Sequence, residues 1–209
     1  MPGPVQNGND ARSGLSRRGR DLVNEERYWG RVAAAAQLDA HVVLAALGVT
    51  ILRGEDHLAL WSHLGVEKPE TLRDITYVEA DLYPDALPCL DALRGLGLPV
   101  GLAGNQSEVL ERWSCAVLPA SVFGSAASWG VRKPDPAFFE RMLAEAGCEP
   151  AALAYVGDRV DNDVVPALAA GLVAVHLRRG PWGRIQRAPR EAVVIDSLSE
   201  LPEALASHA

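Results

Sequence analysis

The chain has 209 residues, 48% of them hydrophobic and 22% charged, with a formal net charge of −7. That is enough chain to bury a core, as one domain or as a core with a modest insert, in a composition ordinary for a globular protein. The acidic balance argues against nucleic acid as the main partner; no apolar run approaches membrane-spanning length; and the three cysteines lack metal-like spacing, which points to a reduced, cytoplasmic chain.

Residues 1–20 are rich in Gly, Pro, Asn, Ser and Arg and carry almost nothing to bury, so a disordered tail is expected. No apolar stretch follows its arginines, as a secretory signal would require. Residues 21–82 are expected to form an all-helical block. "ERYWGRVAAAAQLD" places Trp29, Val32, Ala33 and Ala36 near one face. "AHVVLAALGV" and "HLALWSHLGV" read as helices closing on glycine. "PETLRDITYVEADLY" reads as a helix with Pro69 in its first turn.

From residue 83 to 209 the pattern changes to short strands alternating with helices. "LPVGLAGN", "SVFGS", "LAYVGD", "VAVHLR" and "AVVID" read as strands. "DALPCLDALRGLG", "SEVLERWSCAV", "DPAFFERMLAEAG", "DVVPALAAG" and "SELPEALAS" read as helices, with Ser107 and Asp135 as N-caps. Near-continuous apolar strands between helices predict an α/β fold, a parallel sheet with helices on both faces. Ligands in such folds sit beyond the carboxyl ends of the strands.

The polar residues fall at those ends. Gly104 and Asn105 close one strand, Asp158 closes another, and Lys133 lies in the loop entering the "DPAFF" helix. Asp158, with Asp163 behind it, suits a hard cation: Mg2+ takes one or two protein carboxylates and completes its shell with water and phosphate oxygens. Lys133 supplies a point charge for a phosphate oxygen, while Asn105 and the backbone amides after its strand supply donors. Together they make a clamp for a phosphoryl group. The acidic net charge does not oppose this, because a pocket can reverse the global sign locally. Taken singly, each residue has a plainer reading: Asp163 as a helix N-cap, Lys133 as a solvated lysine, Asn105 as a turn residue. Elsewhere, His41, His57, His63, His176 and His208 show no paired spacing. Asp10, Asp21, Glu25 and Glu26 read as solvated or capping charges, the tryptophans as packing, and Arg178–Arg179 as an exposed strand-end pair.

The order of these motifs resembles the haloacid dehalogenase (HAD)-like hydrolase superfamily over roughly residues 19–200, in the form with a helical cap inserted near the N-terminus. "VGDRVDNDVVPALAAG" resembles the fourth family motif, which implies that Asp158 ligates a metal while Asn162 and Asp163 support it. "RKPDPAFF" resembles the third, making Lys133 the phosphate-pairing lysine. "GLAGNQS" resembles the second, with Gly104 where a hydroxyl residue is usual. The Gly157–Asp158 pair is similar to the Mg2+-dependent phosphatases rather than the metal-free dehalogenases. The resemblance implies a Rossmann-like core, a Mg2+ cofactor, and hydrolysis of a small phosphorylated metabolite through an aspartyl-phosphate. The charge balance and the short apolar runs imply no nucleic-acid or membrane partner.

The first family motif is the exception. Aligned on Leu22–Val23, the nucleophile position falls on Arg17 and the second acid on Gly19. The nucleophilic Asp and the first core strand are therefore expected to be missing. Two explanations follow: an Asp-bearing strand encoded in another frame or upstream, or a pseudoenzyme that keeps a phosphate pocket for binding or regulation. A sheet lacking a central strand is also expected to favour oligomerisation.

Overall fold

The computed structural model describes residues 22–207. The expected N-terminal tail and the positions of Asp10, Arg17, Gly19 and Asp21 lie outside the described residues.

Three helices come first. The α1 helix (Glu25–Ala35) starts where Asn24, in extended backbone, accepts a 2.9 Å bond from the Glu26 N–H. The α2 helix (Ala40–Leu52) is capped in the same way by Asp39 on the His41 N–H, at 2.7 Å. It was expected to close near Gly48, but it continues to Leu52 and turns at Gly54 (φ +66°). The apolar stripe decides this, because Val43, Leu47 and Ile51 keep helical spacing across Gly48 and all are buried. The α3 helix (Ala59–Leu64) does end on a left-handed glycine, Gly65.

Residues 69–83 differ more from expectation. They form two 3-10 turns, Glu70–Asp74 and Glu79–Asp81, joined by extended backbone. The joining residues include Ile75, Thr76 and Val78, whose β-branched side chains favour extended backbone. Tyr77 among them is buried at 1% exposure. Asp81 accepts bonds from the Val78 N–H and from Arg31 of α1, which fixes the turn against the helix.

The remainder is α/β. After α4 (Ala86–Gly95) come β1 (Gly101–Gly104), α5 (Glu108–Val117), β2 (Val122–Ser125), α6 (Ala126–Trp129), α7 (Pro136–Ala146) and β3 (Ala154–Gly157). One π-helical turn (Val160–Val164) leads into α8 (Val165–Ala169), then β4 (Val173–Leu177), α9 (Gly180–Ile185), β5 (Val193–Ile195) and α10 (Leu201–Ala206). All ladders among the named strands are parallel. β1 pairs β2, with Leu102 opposite Phe123, and β3–β4–β5 form a second sheet, with Val156 opposite Val175 and Val175 opposite Val193. No ladder joins β1 to β3 among the described residues.

Both faces of β3 and most of β4 are covered, while Val194 of β5 is exposed. Leu102, Val156, Val175 and Ile195 pack on one side with Leu90, Leu93 and Leu198. Ala103, Tyr155 and Ala174 pack on the other with Phe138, Phe139 and Met142. Leu22 belongs to the first of these cores, and Val23 forms an isolated antiparallel bridge with Leu82. The helices α1–α3 have a separate core around Trp29, Leu47 and Trp61, which Trp182 of α9 enters. Each such large apolar side chain stabilises the fold by roughly 1.5–3 kcal/mol when fully buried.

Candidate functional site

The carboxyl ends of β1 and β3 face a common region, and Lys133 links them. The Asn105 side chain, one residue past β1, is spent on the lysine's backbone. Its Nδ2 donates to the Lys133 carbonyl and its Oδ1 accepts the Lys133 N–H, both at 2.8 Å. Asn105 thus braces the loop, which contains a cis Lys133–Pro134 bond. The Lys133 side chain runs inward at 1% exposure, and its Nζ donates to the Asp163 carboxylate and to the Tyr155 hydroxyl. Lys133 is therefore not a solvated loop lysine.

Asp163 is completely buried and lies in the π-helical turn after β3. It is not the N-cap of α8. One oxygen takes the lysine, and the other accepts the Arg159 N–H at 3.1 Å. Gly157 makes this possible: a Cβ there would lie 2.4 Å from the Asp163 Cβ and 2.7 Å from its Oδ2. Asp161, third of the acids, points elsewhere. It pairs with the Arg159 guanidinium and accepts a 2.9 Å bond from Gln186. Burial would raise its carboxyl's pKa, but the Arg159 bonds and charge, with Gln186, hold it below the usual range.

Asp158 stands at the end of β3 with 5% exposure, and Asn162 is equally buried. Among the described residues, no group of three or more His, Cys, Asp or Glu side chains gathers to hold a metal ion. A single carboxylate at a strand end, with water and phosphate oxygens around it, is nevertheless a donor set that Mg2+ accepts. The residues present therefore fit the ion.

Glu25 was read as a solvated or capping charge, and the structure corrects this: it is 4% exposed. Its Oε2 and the Asp158 Oδ2 border the same point beside Gly180, 3.7 and 3.8 Å from where a Cβ would stand. An acid in a first helical turn looks like dipole chemistry in sequence, so nothing local marked it. Arg179 departs from expectation in the same direction. Arg178 is exposed and paired with Asp196, but Arg179 is buried. Its guanidinium lies 4.0 Å from the centre of the Tyr83 ring and donates to both Asp85 oxygens, at 2.8 and 2.9 Å. Asp85 also accepts from Ser197 Oγ and the Leu198 N–H. Burial opposes ionisation of Asp85, yet these bonds and the Arg179 charge hold its carboxyl below the usual range. Burial pushes the Tyr83 hydroxyl up; Arg179 opposes that shift, while Glu25, Glu26 and Asp158 add to it. Tyr155, Gln186 and Tyr83 carried no sequence signal, because their partners are distant in the chain.

A cleft of about 490 Å³ opens over this arrangement. Asn105, Lys133 and Asn162 line it, as do Glu55, Asp56 and His57 from the loop between α2 and α3. The size suits a small molecule.

A buried lysine–carboxylate pair at the ends of parallel strands, beside a cleft of small-molecule size, defines an α/β protein with a candidate site at its strand ends. The comparisons make this more specific. A family model described as HAD-hydrolase-like matches residues 130–201. A glyceraldehyde 3-phosphate phosphatase of Methanopyrus kandleri is 38% identical over 105 residues, covering 48% of this chain and 45% of that protein. The chain spans about half the length of the curated relatives it matches. Among solved structures, a predicted phosphoglycolate phosphatase of Haemophilus somnus superposes with a TM-score of 0.65 at 18% identity, over 95% of this chain and 99% of that one. A 2-haloacid dehalogenase of Pseudomonas syringae superposes with a TM-score of 0.58 at 22% identity, over 94% and 99%. Those two likenesses show the fold and leave the chemistry open. The chain thus has the fold of HAD-like hydrolases and is similar to them in sequence over residues 130–201.

Proposed function

We propose that the protein is a Mg2+-dependent phosphate monoester hydrolase acting on a small phosphorylated metabolite. The observation that carries this reading is the buried Lys133, held by Asp163 and Tyr155 at the strand ends beside Asp158. A rigid ammonium neutralises a phosphoryl group without reorganising when charge develops. Asn105 acts by positioning that loop. Asp158 would hold the metal, with Asp163 and Asn162 supporting its loop. Mg2+ bound there would draw charge from the transferring group. The reaction consumes water, breaks a P–O bond and yields an alcohol and orthophosphate. The relatives' names, including glyceraldehyde 3-phosphate phosphatase and phosphoglycolate phosphatase, support this class of substrate.

A second reading, phosphate binding without turnover, is favoured by one sequence observation: Arg17 occupies the position that aligns with the family's nucleophile. One experiment separates the two. Under the first, the chain releases phosphate from p-nitrophenyl phosphate when Mg2+ is added, and Asp158→Ala abolishes the release. Under the second, inorganic phosphate raises the melting temperature and no phosphate is released. A chain that does neither refutes both. Cytoplasmic location, oligomerisation and a division into a cap over 21–82 and a core over 83–209 belong to the same proposal.

A further inference from the structure

The arginines of this acidic chain are unevenly spread. Its net charge is −7, yet residues 164–190 contain five arginines and no Asp or Glu. The five have different fates. Arg179 turns inward to Asp85, and Arg190 pairs with its exposed neighbour Glu191. Arg178, Arg184 and Arg187 line one cleft of about 570 Å³, built from β4, α9, β5 and the turns after them.

Close packing shapes this cleft. A Cβ at Gly183 would stand 2.5 Å from the Leu177 carbonyl oxygen and 3.2 Å from the Arg178 Cα. Glycine therefore lets α9 lie close against the end of β4, which brings Arg184 toward the Arg178–Asp196 pair. The bonds from Arg178 hold the Asp196 carboxyl below its usual range, and the charges of Arg178 and Arg184 add to this. Asp196 is the one acid among the described residues that line the cleft, and Arg178 donates to both of its oxygens. Arg184 and Arg187 make no ion pair among the described residues. The lining thus sets three guanidiniums against one carboxylate. Cations gathered along one concave wall repel one another and draw in an anion. The volume suits a small molecule.

This cleft is separate from the one at the strand ends, and no residue lines both. Trp182 of α9 lines the strand-end cleft, whereas Gly183 and Arg184, next in the same helix, line the basic one. Gln186 stands between them. It lines the basic cleft, while its Oε1 accepts the Val160 N–H at 2.7 Å and its Nε2 donates to Asp161 at 2.9 Å.

We propose that the basic cleft is a second anion site, taking a small polyanion whose charged groups bridge Arg184 and Arg187. Guanidinium forks match pairs of phosphate or carboxylate oxygens, so arginine at both positions suits such a ligand. The site needs neither metal nor turnover, and it stands or falls independently of the phosphatase reading.

The test is calorimetric titration of the full chain with tripolyphosphate, in low-salt buffer without Mg2+. Saturable binding is expected, and Arg184→Gln/Arg187→Gln is expected to weaken it by at least about tenfold. Both changes are at exposed positions, and an unchanged melting temperature checks that the fold is kept. Arg184→Lys/Arg187→Lys keeps the charge and loses the forks; its affinity is expected to fall between the two. Arg112→Gln/Arg141→Gln removes the same charge from exposed positions on α5 and α7 and is expected to leave the affinity within about twofold of the parent. Three results overturn the proposal: no saturable binding to the parent, an affinity that ignores Arg184→Gln/Arg187→Gln, or an equal loss in Arg112→Gln/Arg141→Gln. The second places the ligand elsewhere, and the third reduces the effect to net charge.

Discussion

Replacing Lys133 with Met leaves Asp163 as a buried charge with its main counter-charge deleted. Both side chains of the pair have 0% exposure, so solvent screens neither. Breaking a buried pair from one side costs about 3–5 kcal/mol. For a chain of this size, each kcal/mol corresponds to roughly 2–4 °C of melting temperature, so the expected drop is roughly 6–20 °C. Asp163→Asn leaves the ammonium stranded instead and is expected to cost a similar amount. The double variant Lys133→Met/Asp163→Asn removes both charges and is expected to recover most of the loss. A double-mutant cycle by urea unfolding measures this coupling, which is expected to exceed about 2 kcal/mol. Phosphate release from p-nitrophenyl phosphate is expected to vanish in all three variants, including the restabilised one. That separation of stability from turnover is what a purely structural ion pair would not show. A Lys133→Met chain melting within about 2 °C of the parent, or losses that simply add, would refute the reasoning.

Three further outcomes are expected. Gly157→Ala forces a Cβ to within 2.4 Å of the Asp163 Cβ; overpacking of this kind costs about 1–3 kcal/mol, read by urea unfolding, and phosphate affinity is expected to fall with it as Asp163 shifts. Asp85→Asn removes the carboxylate charge that Arg179 pairs with; a loss of about 1–3 kcal/mol is expected once solvent screening is allowed for. Because the Asp85 carboxyl is held below its usual range in the folded chain, its contribution is full above about pH 4 and disappears as pH falls through the lowered folded value. Unfolding curves for parent and Asp85→Asn are thus expected to differ at pH 7 and to converge as pH falls below about 4. An undiminished gap at low pH would contradict the assignment.

Several features were legible because their physics is local. Ser107 and Asp135 cap α5 and α7 through bonds to backbone N–H groups two or three residues on. The five strands follow from apolar runs, which β3 and most of β4 bury on both faces. Asp158 and Asn105 follow from lying one residue past a strand. Where local rules misled, a longer contact had taken over. The "PETLRDITYVEADLY" segment has helical periodicity, but its Tyr77 is drawn into the core and Asp81 is tied to Arg31. Glu25 and Arg179 carry charges that ordinarily seek water, and each is buried by packing from the far side of the chain.

By itself the sequence determined which residues end strands, which cap helices, and that acids and a lysine gather on one edge of a parallel sheet. Those properties depend on spacings of a few residues, within the reach of single hydrogen bonds and of helix or strand periods. The tertiary structure alone decided how that edge is wired. Asp163 serves Lys133, Asn105 braces the Lys133 backbone, and Asp85 holds Arg179. Such pairings join residues 28 to 94 positions apart. Burial, which removes water as the competing partner, selects among them, and no spacing in the chain encodes it.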